Sequence, residues 1–253
     1  MDLGLADRVF LVTAASSGLG RATAEQLVAE GARVVLVARR AEVLAEVLAG
    51  LGPDCAVAVP ADLGEPGTAE RACRAALDRF GRLDGALVSV GGPPAASALD
   101  TTDEQWQQAF ESVFLAALRT TRAVVAQATA ADLVIAWVLS TSVKSPIGGL
   151  AASNGLRPGL GMLLKQLADE LGPSGTRVLG LMPGRIETER VRHLDSLSAD
   201  PEAARTAAEQ AIPLRRYGSP TEFARVATFL LSPAASYLTG AVIPVEGGAL
   251  RSL

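Results

Sequence analysis

The sequence is poor in the residues that build metal sites and disulfide frameworks. Its 253 residues include only two cysteines and one histidine. Cys55, Cys73 and His193 have no partners at the spacing that metal ligands require, so we expect no metal site. The two thiols are most simply explained as small apolar residues.

Long apolar runs and an excess of positive charge are also missing. The longest apolar stretch, Leu133–Leu139, is far shorter than the roughly 20 residues of a membrane span. The first residues lack a basic segment followed by a cleavage site, so we expect a cytoplasmic protein. The formal net charge is −4, whereas nucleic-acid-binding surfaces concentrate lysine and arginine. We therefore expect neither a membrane nor a nucleic acid as a partner.

The sequence does have ample apolar content in an alternating pattern. Hydrophobic residues make up 49% of the chain, and short β-branched runs alternate with longer helical patterns. This alternation is typical of an α/β fold with a doubly wound parallel sheet in a single domain. Strands are predicted at Arg8–Thr13, Arg33–Ala38, Cys55–Pro60, Asp84–Val90, Asp132–Leu139, Arg177–Met182 and Ala241–Val245. Helices are predicted at Leu19–Glu30, Ala41–Leu51, Pro66–Phe80, Thr102–Ala130, Pro158–Leu171 and Pro220–Leu231.

The segment 186–212 interrupts the alternation of strands and helices. Two helical pieces are predicted there, at Glu189–Leu194 and Pro201–Gln210, directly after the carboxyl end of a strand. Because ligands of such sheets bind at the carboxyl ends of the strands, we expect this segment to form a small helical lid over a substrate.

A glycine-rich segment follows the first predicted strand and opens the first helix. It consists of Thr13, Ala14, Ala15, Ser16, Ser17, Gly18, Leu19 and Gly20. Glycine lets the backbone approach a pyrophosphate, and the N-terminus of a helix offers free N–H groups to the anion. An ordinary tight turn is the alternative, but the position at the first strand-helix junction favours dinucleotide binding.

This segment resembles the T-G-x3-G-x-G element of the short-chain dehydrogenase/reductase family. Ala14 replaces the first glycine, and we expect this change to be mild because an alanine there needs only a negative φ. Further family motifs follow in order, at Asp62-Leu63, at Ser89-Val90-Gly91-Gly92 and from Pro183 to Thr188. The resemblance implies a Rossmann-like fold, closest in pattern to 3-oxoacyl-acyl-carrier-protein reductases. It also implies cofactor contacts from Asp62, Leu63, Ser89, Gly91, Pro183, Gly184, Ile186 and Thr188.

The end of the second strand predicts which cofactor binds. NAD-type members place an acidic side chain there to bind the ribose 2′-hydroxyl, and this chain has Ala38. Arg39 can instead offer a planar, permanently charged fork to a 2′-phosphate. The alternative is that Arg39 and Arg40 only solvate the N-terminus of the next helix. The missing acid favours NADP, with NADPH as the reduced form.

The resemblance implies four catalytic positions, of which only one keeps the family residue. Ungapped alignment places Ser140 on the family serine, Ser153 on the tyrosine, Arg157 on the lysine and Val113 on the asparagine. Arg157 keeps a positive charge that could bind the ribose hydroxyls, but it cannot pass on a proton. Ser153 is a far weaker acid than a phenol, whose pKa is about 10. We therefore expect a modified and weakly active site, with Lys144 as an alternative proton donor or a solvated loop residue.

Pro158 predicts a disturbance next to this site. Proline disfavours helical geometry in the residue before it, and Gly155 and Gly159 weaken the helix further. The helix is therefore expected to start near Pro158 or to bend there. Either outcome would take Ser153 and Arg157 out of the i, i+4 register of a catalytic pair.

Two functions remain open at this point. The first is an NADP-dependent reductase or alcohol dehydrogenase of a small molecule, with a 3-oxoacyl thioester as one candidate. The second is a non-catalytic NADP-binding regulatory or scaffold protein. The retained Ser140 and the lid favour the first. Apolar residues on several faces of the helices at Thr102–Ala130 and Pro158–Leu171, which relatives pair across a two-fold axis, predict a homo-tetramer.

Overall fold

A parallel β-sheet forms the centre of the molecule in the computed structural model, which describes residues 1–252. Its strands are β1 (Val9–Thr13), β2 (Arg33–Ala38), β3 (Ala56–Pro60), β4 (Gly85–Val88), β5 (Val134–Val138), β6 (Arg177–Pro183) and β7 (Val242–Val245). They lie in the order β3-β2-β1-β4-β5-β6-β7, and every neighbouring pair is parallel. The direction of winding reverses between β1 and β4, which opens a crevice at the carboxyl ends of these strands.

Helices cover both faces of the sheet. They are α1 (Gly18–Ala29), α2 (Ala41–Leu51), α3 (Thr68–Phe80), α4 (Asp103–Ala109), α5 (Ala116–Gln127), α6 (Ala151–Leu171), α7 (Glu189–Ser196), α8 (Pro201–Ala211) and α9 (Pro220–Leu231). The helices α1, α2 and α9 pack on one face, and α3, α5 and α6 pack on the other. Along β1, Phe10 and Val12 join the first core while Val9 and Leu11 join the second. This alternation follows from the two-residue period of a strand.

The α/β class and the predicted strands are confirmed. Each predicted strand matches an observed strand within two residues at either end. The strands are recognisable because both faces of a parallel sheet are buried, so each strand is a nearly continuous apolar run. The helices α7 and α8 lie in the predicted lid segment, directly after β6.

The long helix predicted at Thr102–Ala130 is not one continuous α-helix. The helix α4 begins with a capping box between Thr102 and Gln105. A π-helical turn, Phe110–Leu115, then separates α4 from α5, which ends at Gln127. Val113 lies in this turn and is fully buried. Such a turn is a single wider turn within a helix, and the apolar pattern was interpreted as one continuous α-helix.

The next helix was predicted to start or bend at Pro158. It does not start there, so this part of the prediction is wrong. The helix α6 begins at Ala151 and contains Pro158 in its interior. Side chains hold its first part against the rest of the molecule. The Asn154 amide group exchanges two hydrogen bonds with the backbone of Ile147, at 2.9 and 2.8 Å. Tertiary contacts therefore outweigh the unfavourable local propensity of proline.

The glycines beside Pro158 allow α6 to approach the preceding helices closely. A Cβ atom on Gly155 would lie 2.8 Å from the Trp106 ring, and one on Gly159 would lie 3.2 Å from the Phe114 ring. These glycines therefore make room for two aromatic rings, and they do not mark the end of a helix.

Candidate functional site

The glycine-rich segment is tied to the neighbouring strand ends. The Thr13 hydroxyl donates to the Ser89 carbonyl at 2.6 Å and accepts from the Ser89 amide at 2.8 Å. The Ala15 amide donates to the Val37 carbonyl at 3.1 Å. Three strand ends thus hold the cradle, which we define as residues 13–20, at the edge of the crevice.

Backbone geometry makes specific demands within the cradle. A Cβ atom on Gly20 would lie 2.5 Å from the Ala14 carbonyl oxygen, a distance that real Cβ atoms do not show. Gly18 has a φ of 57°. Ala14 has a φ of 51°, so the expectation that it needs only a negative φ is wrong. Its left-handed conformation costs an alanine about 1–2 kcal/mol, which explains why a glycine suits this position better.

The N-terminus of α1 is open to an anion. Ser17 is its N-cap but makes no side-chain capping hydrogen bond, and no acidic residue lies in the first turn. The first N–H groups of the helix thus keep their capacity to donate, and the helix dipole favours negative charge there. The cradle residues therefore fit the diphosphate of a dinucleotide.

An arginine side chain lies beside the cradle. The Arg40 guanidinium lies 3.0 Å from the Ser17 hydroxyl and 3.4 Å from the Ser16 hydroxyl. Arg39 is 76% exposed and lies 3.8 Å from an Asp62 carboxylate oxygen. Of the two arginines that follow β2, the one that faces the cradle is thus Arg40. The sequence pattern singled out Arg39 and missed this difference in direction.

The remaining predicted cofactor residues border the same crevice. The Asp62 carboxylate accepts from the Gly64 amide at 2.8 Å, and Leu63 packs against the α3 face of the core. Gly91 is exposed beyond the end of β4. Each of these residues follows the carboxyl end of a strand, as the motif positions predict.

The loop after β6 brings the lid against the cradle. Pro183 pairs with Val245 of β7, and Gly184 packs so tightly that a Cβ atom would lie 2.6 Å from Glu246. Ile186 is buried. Thr188 caps α7, and its methyl group lies 3.3 Å from where a Cβ atom on Gly18 would be. The lid therefore starts in contact with the glycine-rich turn.

Three serine hydroxyls lie at the end of β5 and the start of α6. The Ser140 hydroxyl accepts from the Ser142 amide at 3.1 Å, which leaves its own proton free to be donated. The Ser142 and Ser153 hydroxyls lie 3.1 Å apart and are buried. Ser153 thus interacts with Ser142.

Arg157 points towards the end of β5. Its Nη1 donates to the Val138 carbonyl at 2.8 Å and to the Leu139 carbonyl at 3.2 Å. Ser153 and Arg157 lie one turn apart on the continuous helix α6, and both are buried. The prediction that they leave the i, i+4 register is therefore wrong, because the helix does not start at Pro158. Burial lowers the pKa of Arg157 to about 10, with a further contribution from the charge of Arg190.

Two other residues were considered from the sequence, and they differ in exposure. Val113 is fully buried in the apolar core, so it offers no polar atom to the site. Lys144 is exposed and follows the 3₁₀ turn Thr141–Val143.

The lid is anchored by a cluster of charged and aromatic groups. The Tyr217 hydroxyl donates to Asp195 at 3.1 Å, and Arg185 pairs with the same carboxylate. The guanidinium of Arg205 lies 4.8 Å from the centre of the Tyr217 ring. Burial is the main cause that raises the pKa of Tyr217. These contacts join α7 and α8 to the segment before α9.

Comparison with known proteins identifies the family. A family model described as "Enoyl-(Acyl carrier protein) reductase" matches residues 13–249. Levodione reductase from Leifsonia aquatica is 34% identical, with 96% of this chain and 94% of that protein covered. A short-chain dehydrogenase/reductase from Brucella melitensis superposes with a TM-score of 0.92 at 29% identity over 100% of both chains. The chain belongs to the short-chain dehydrogenase/reductase family.

Two further members of the family were crystallised with NADPH. L-Sorbose reductase from Gluconobacter frateurii, complexed with NADPH and L-sorbose, has a TM-score of 0.92 at 29% identity over 100% of both chains. An NADPH-bound short-chain oxidoreductase from Pseudomonas aeruginosa is described as containing an atypical catalytic centre. It has a TM-score of 0.91 at 30% identity over 99% of both chains.

Three residues that lie at the candidate site were not identified as functional residues from the sequence. They are Arg40, Ser142 and Arg190. Arg40 lies one residue beyond Arg39, and Ser142 lies two residues beyond Ser140. Arg190 lies two residues beyond Thr188, the last residue of the family's P-G-x-I-x-T loop, and its side chain donates to the Pro93 carbonyl at 2.6 Å. The position of Arg190 in a lid was the one signal that could have identified it.

No helix within residues 1–252 is long and apolar enough to cross a membrane. The same residues contain no cluster of three or more side chains suited to hold a metal ion.

Proposed function

We propose that the chain is an NADPH-dependent oxidoreductase that acts on a carbonyl or hydroxyl group of a small molecule. The observation that carries this proposal is the position of Arg40 against Ser16 and Ser17. A guanidinium and two hydroxyls can together bind a phosphate. Ala38, at the end of β2, offers no carboxylate to a ribose 2′-hydroxyl and does not repel a 2′-phosphate. The NADPH bound in two related structures supports the same choice.

Different residues of the crevice would bind different parts of the cofactor. NADPH, when bound, supplies the hydride. The free N–H groups at the start of α1 would hold its diphosphate, and Arg40 would hold its 2′-phosphate with the two serines. Thr188 and the loop before it would cover it from the lid side. Arg39 would be a second, more exposed cation beside the 2′-phosphate.

Ser140 is the chain's main polar contact to the reacting oxygen. Its oxygen accepts from the Ser142 amide, and no hydrogen bond among residues 1–252 uses its proton, so it can donate to a substrate oxygen. An alkyl hydroxyl does not replace a phenol as a general acid, and such catalysis supplies about 10²–10⁴-fold in rate. The proton therefore comes from water oriented by Ser140, and turnover is slow. The relatives include a 3-oxoacyl-[acyl-carrier-protein] reductase for rhamnolipid biosynthesis in Pseudomonas aeruginosa, 34% identical over 96% of both chains, so a 3-oxoacyl thioester remains a candidate substrate.

A non-catalytic NADPH-binding role is the second candidate. The Ser153 hydroxyl, on the tyrosine position, is engaged with Ser142 and buried. A hydroxyl held in this way is not presented to a substrate. This arrangement favours a protein that binds the cofactor as a regulator or scaffold.

Cofactor titration tests the binding part of the proposal. NADPH is expected to bind at least tenfold more tightly than NADH, which corresponds to about 1.4 kcal/mol. Arg40→Ala should remove this preference, whereas Arg39→Ala should reduce it less because Arg39 does not contact the two serines. Fluorescence titration of the bound nicotinamide measures both constants. Equal affinity for the two cofactors in the unaltered protein would contradict the assignment.

Stopped-flow reduction assays separate the two candidate functions. Single-turnover oxidation of NADPH with β-keto thioesters should be slow but measurable, and Ser140→Ala should abolish it. Complete absence of turnover across the substrate panel, with normal NADPH binding, favours the regulatory role.

Assembly and location are part of the same proposal. Phe110 and Met162, on the helical layer of α4 to α6, are 40% and 73% exposed. We propose that this layer pairs with a second copy in a homo-tetramer and that the protein works in the cytoplasm. Sedimentation as a monomer at micromolar concentration would exclude the tetramer.

A further inference from the structure

Arg157 is a buried cation without an acidic partner. It is 6% exposed, and no carboxylate in residues 1–252 forms an ion pair with it. Its Nη1 donates to the two carbonyls at the end of β5, while Nε and Nη2 make no hydrogen bond within the described chain. The only fully enclosed, unpartnered polar side-chain atom among those residues is Thr228 Oγ1. Nε and Nη2 of Arg157 are therefore not fully enclosed by the protein, and this side of the guanidinium can contact a ligand.

Arg190 is a second cation without an acidic partner in the described part of the molecule. Its Nη2 donates to the Pro93 carbonyl at 2.6 Å, and its guanidinium lies against Gly92. The acidic side chains beside it on the lid point elsewhere. Glu187 pairs with Arg205, and Glu189 pairs with Arg40. Burial lowers the pKa of Arg190, which indicates that the charge is already partly removed from water.

The two cations lie at the carboxyl ends of neighbouring strands, since Arg157 contacts the end of β5 and Arg190 contacts the segment that follows β4. The charge of Arg190 contributes to lowering the pKa of Arg157. A buried charge without a counter-ion is costly, and a like charge beside it adds to the cost. An anion between two guanidinium groups would remove both penalties through charge-assisted hydrogen bonds.

The position of these cations separates them from the cradle. Arg157 contacts the end of β5, and Arg190 contacts the segment that follows β4. That segment continues to Ala96, which pairs with Leu150 just before α6. The cradle lies instead at the end of β1 and faces Arg40. The two arginines therefore border the part of the crevice beyond the cofactor's phosphates.

We propose that Arg157 and Arg190 form a binding site for an anionic group of the substrate, a carboxylate or a phosphate, close to Ser140. The role of this site in catalysis rests on the proposed oxidoreductase function, but the binding of the anion does not. An anion held there fixes the orientation of a small substrate whose carbonyl meets Ser140. The substrate class is thus a carbonyl compound with a negatively charged group.

Calorimetry with malonate, inorganic phosphate and uncharged malonamide tests the site. Each probe is titrated into the free protein and into the protein saturated with NADPH. Malonate or phosphate is expected to bind in both states, and malonamide is expected to bind at least tenfold more weakly. Arg190→Met should weaken binding of the anion at least tenfold. Arg192→Met is the matched control, because Arg192 is an exposed arginine on the same helix, and it should change nothing. Arg157→Met is not needed, since it also removes contacts to β5.

The outcomes separate this site from the cofactor site. Equal binding of malonate and malonamide overturns the proposal, as does a lack of binding by both anions. A loss of NADPH affinity in Arg190→Met, with anion binding to the free protein unchanged, also overturns it and assigns Arg190 to the cofactor's diphosphate. Anion binding that depends on Arg190 in a protein that does not bind NADPH supports the anion site and refutes the oxidoreductase function.

Discussion

The start of α1 and the start of α6 lie at the same edge of the sheet, yet their structures are determined differently. At the start of α1, the close contact at Gly20 and the positive φ angles restrict the backbone itself. At the start of α6, side chains from Asn154 and Arg157 reach backbone groups outside the helix. The first region is therefore restricted mainly by its backbone geometry, and the second by side-chain hydrogen bonds to backbone groups outside the helix.

This difference explains which substitutions each region has accepted. The cradle contains Ala14 in place of a glycine, and the shape of the turn is retained with some strain. In α6, Ser153 and Arg157 form hydrogen bonds to other parts of the protein. The cradle therefore depends on backbone shape, and the start of α6 depends on what its side chains contact.

The largest expected effect comes from adding a side chain at Gly20 of the cradle. Gly20→Ala places a methyl group 2.5 Å from a carbonyl oxygen, so we expect the free energy of unfolding to fall by about 3 kcal/mol. Gly50→Ala is the control, because nothing lies within 4 Å of its Cβ position in α2. It should raise stability by about 0.5–1 kcal/mol. Urea denaturation measures both, and equal effects would show that the cradle can relax.

The next effect tests whether the Arg157 side chain anchors α6 to the end of β5. Arg157→Met keeps much of the side chain's length and removes the donors to Val138 and Leu139. We expect a loss of about 2 kcal/mol in urea denaturation, since hydrogen bonds from charged groups contribute about 1.5–3 kcal/mol. Arg39→Met, at an exposed position, should stay within about 0.5 kcal/mol. A stabilised Arg157→Met protein would mean that the cost of burying the charge exceeds the value of its hydrogen bonds.

The two regions also show how far the sequence can predict this protein. The cradle and the strands were predictable because they depend on local patterns of glycine and apolar residues. The continuous helix α6 was not, because the partner of Asn154 and the acceptors of Arg157 lie outside the helix. Likewise, the sequence indicated a cation after β2 but not that Arg40 is the one facing the cradle. Side-chain direction depends on tertiary packing, which no local pattern specifies.

A smaller effect is expected where the local preference opposes the fold. Pro158→Ala should stabilise the protein by about 1 kcal/mol, because alanine suits the interior of a helix and supplies the missing N–H group. Pro220→Ala is the matched control, since Pro220 occupies the first turn of α9, where proline is well tolerated. It should be neutral or slightly destabilising in the same urea assay. A destabilised Pro158→Ala protein would indicate that α6 depends on the geometry imposed by proline.

The smallest effect concerns the strained residue of the cradle. Ala14 has a φ of 51°, which costs an alanine about 1–2 kcal/mol relative to a right-handed conformation. Glycine removes this cost but adds freedom to the unfolded chain, worth about 0.4–1 kcal/mol. Ala14→Gly should therefore raise stability by about 0.5 kcal/mol. Ala15→Gly, next to it at a buried position without a positive φ, should lower stability instead. If both changes lower it, the backbone of the cradle is held by its contacts to β2 and β4 and not by the preference of Ala14, and the contrast with α6 disappears.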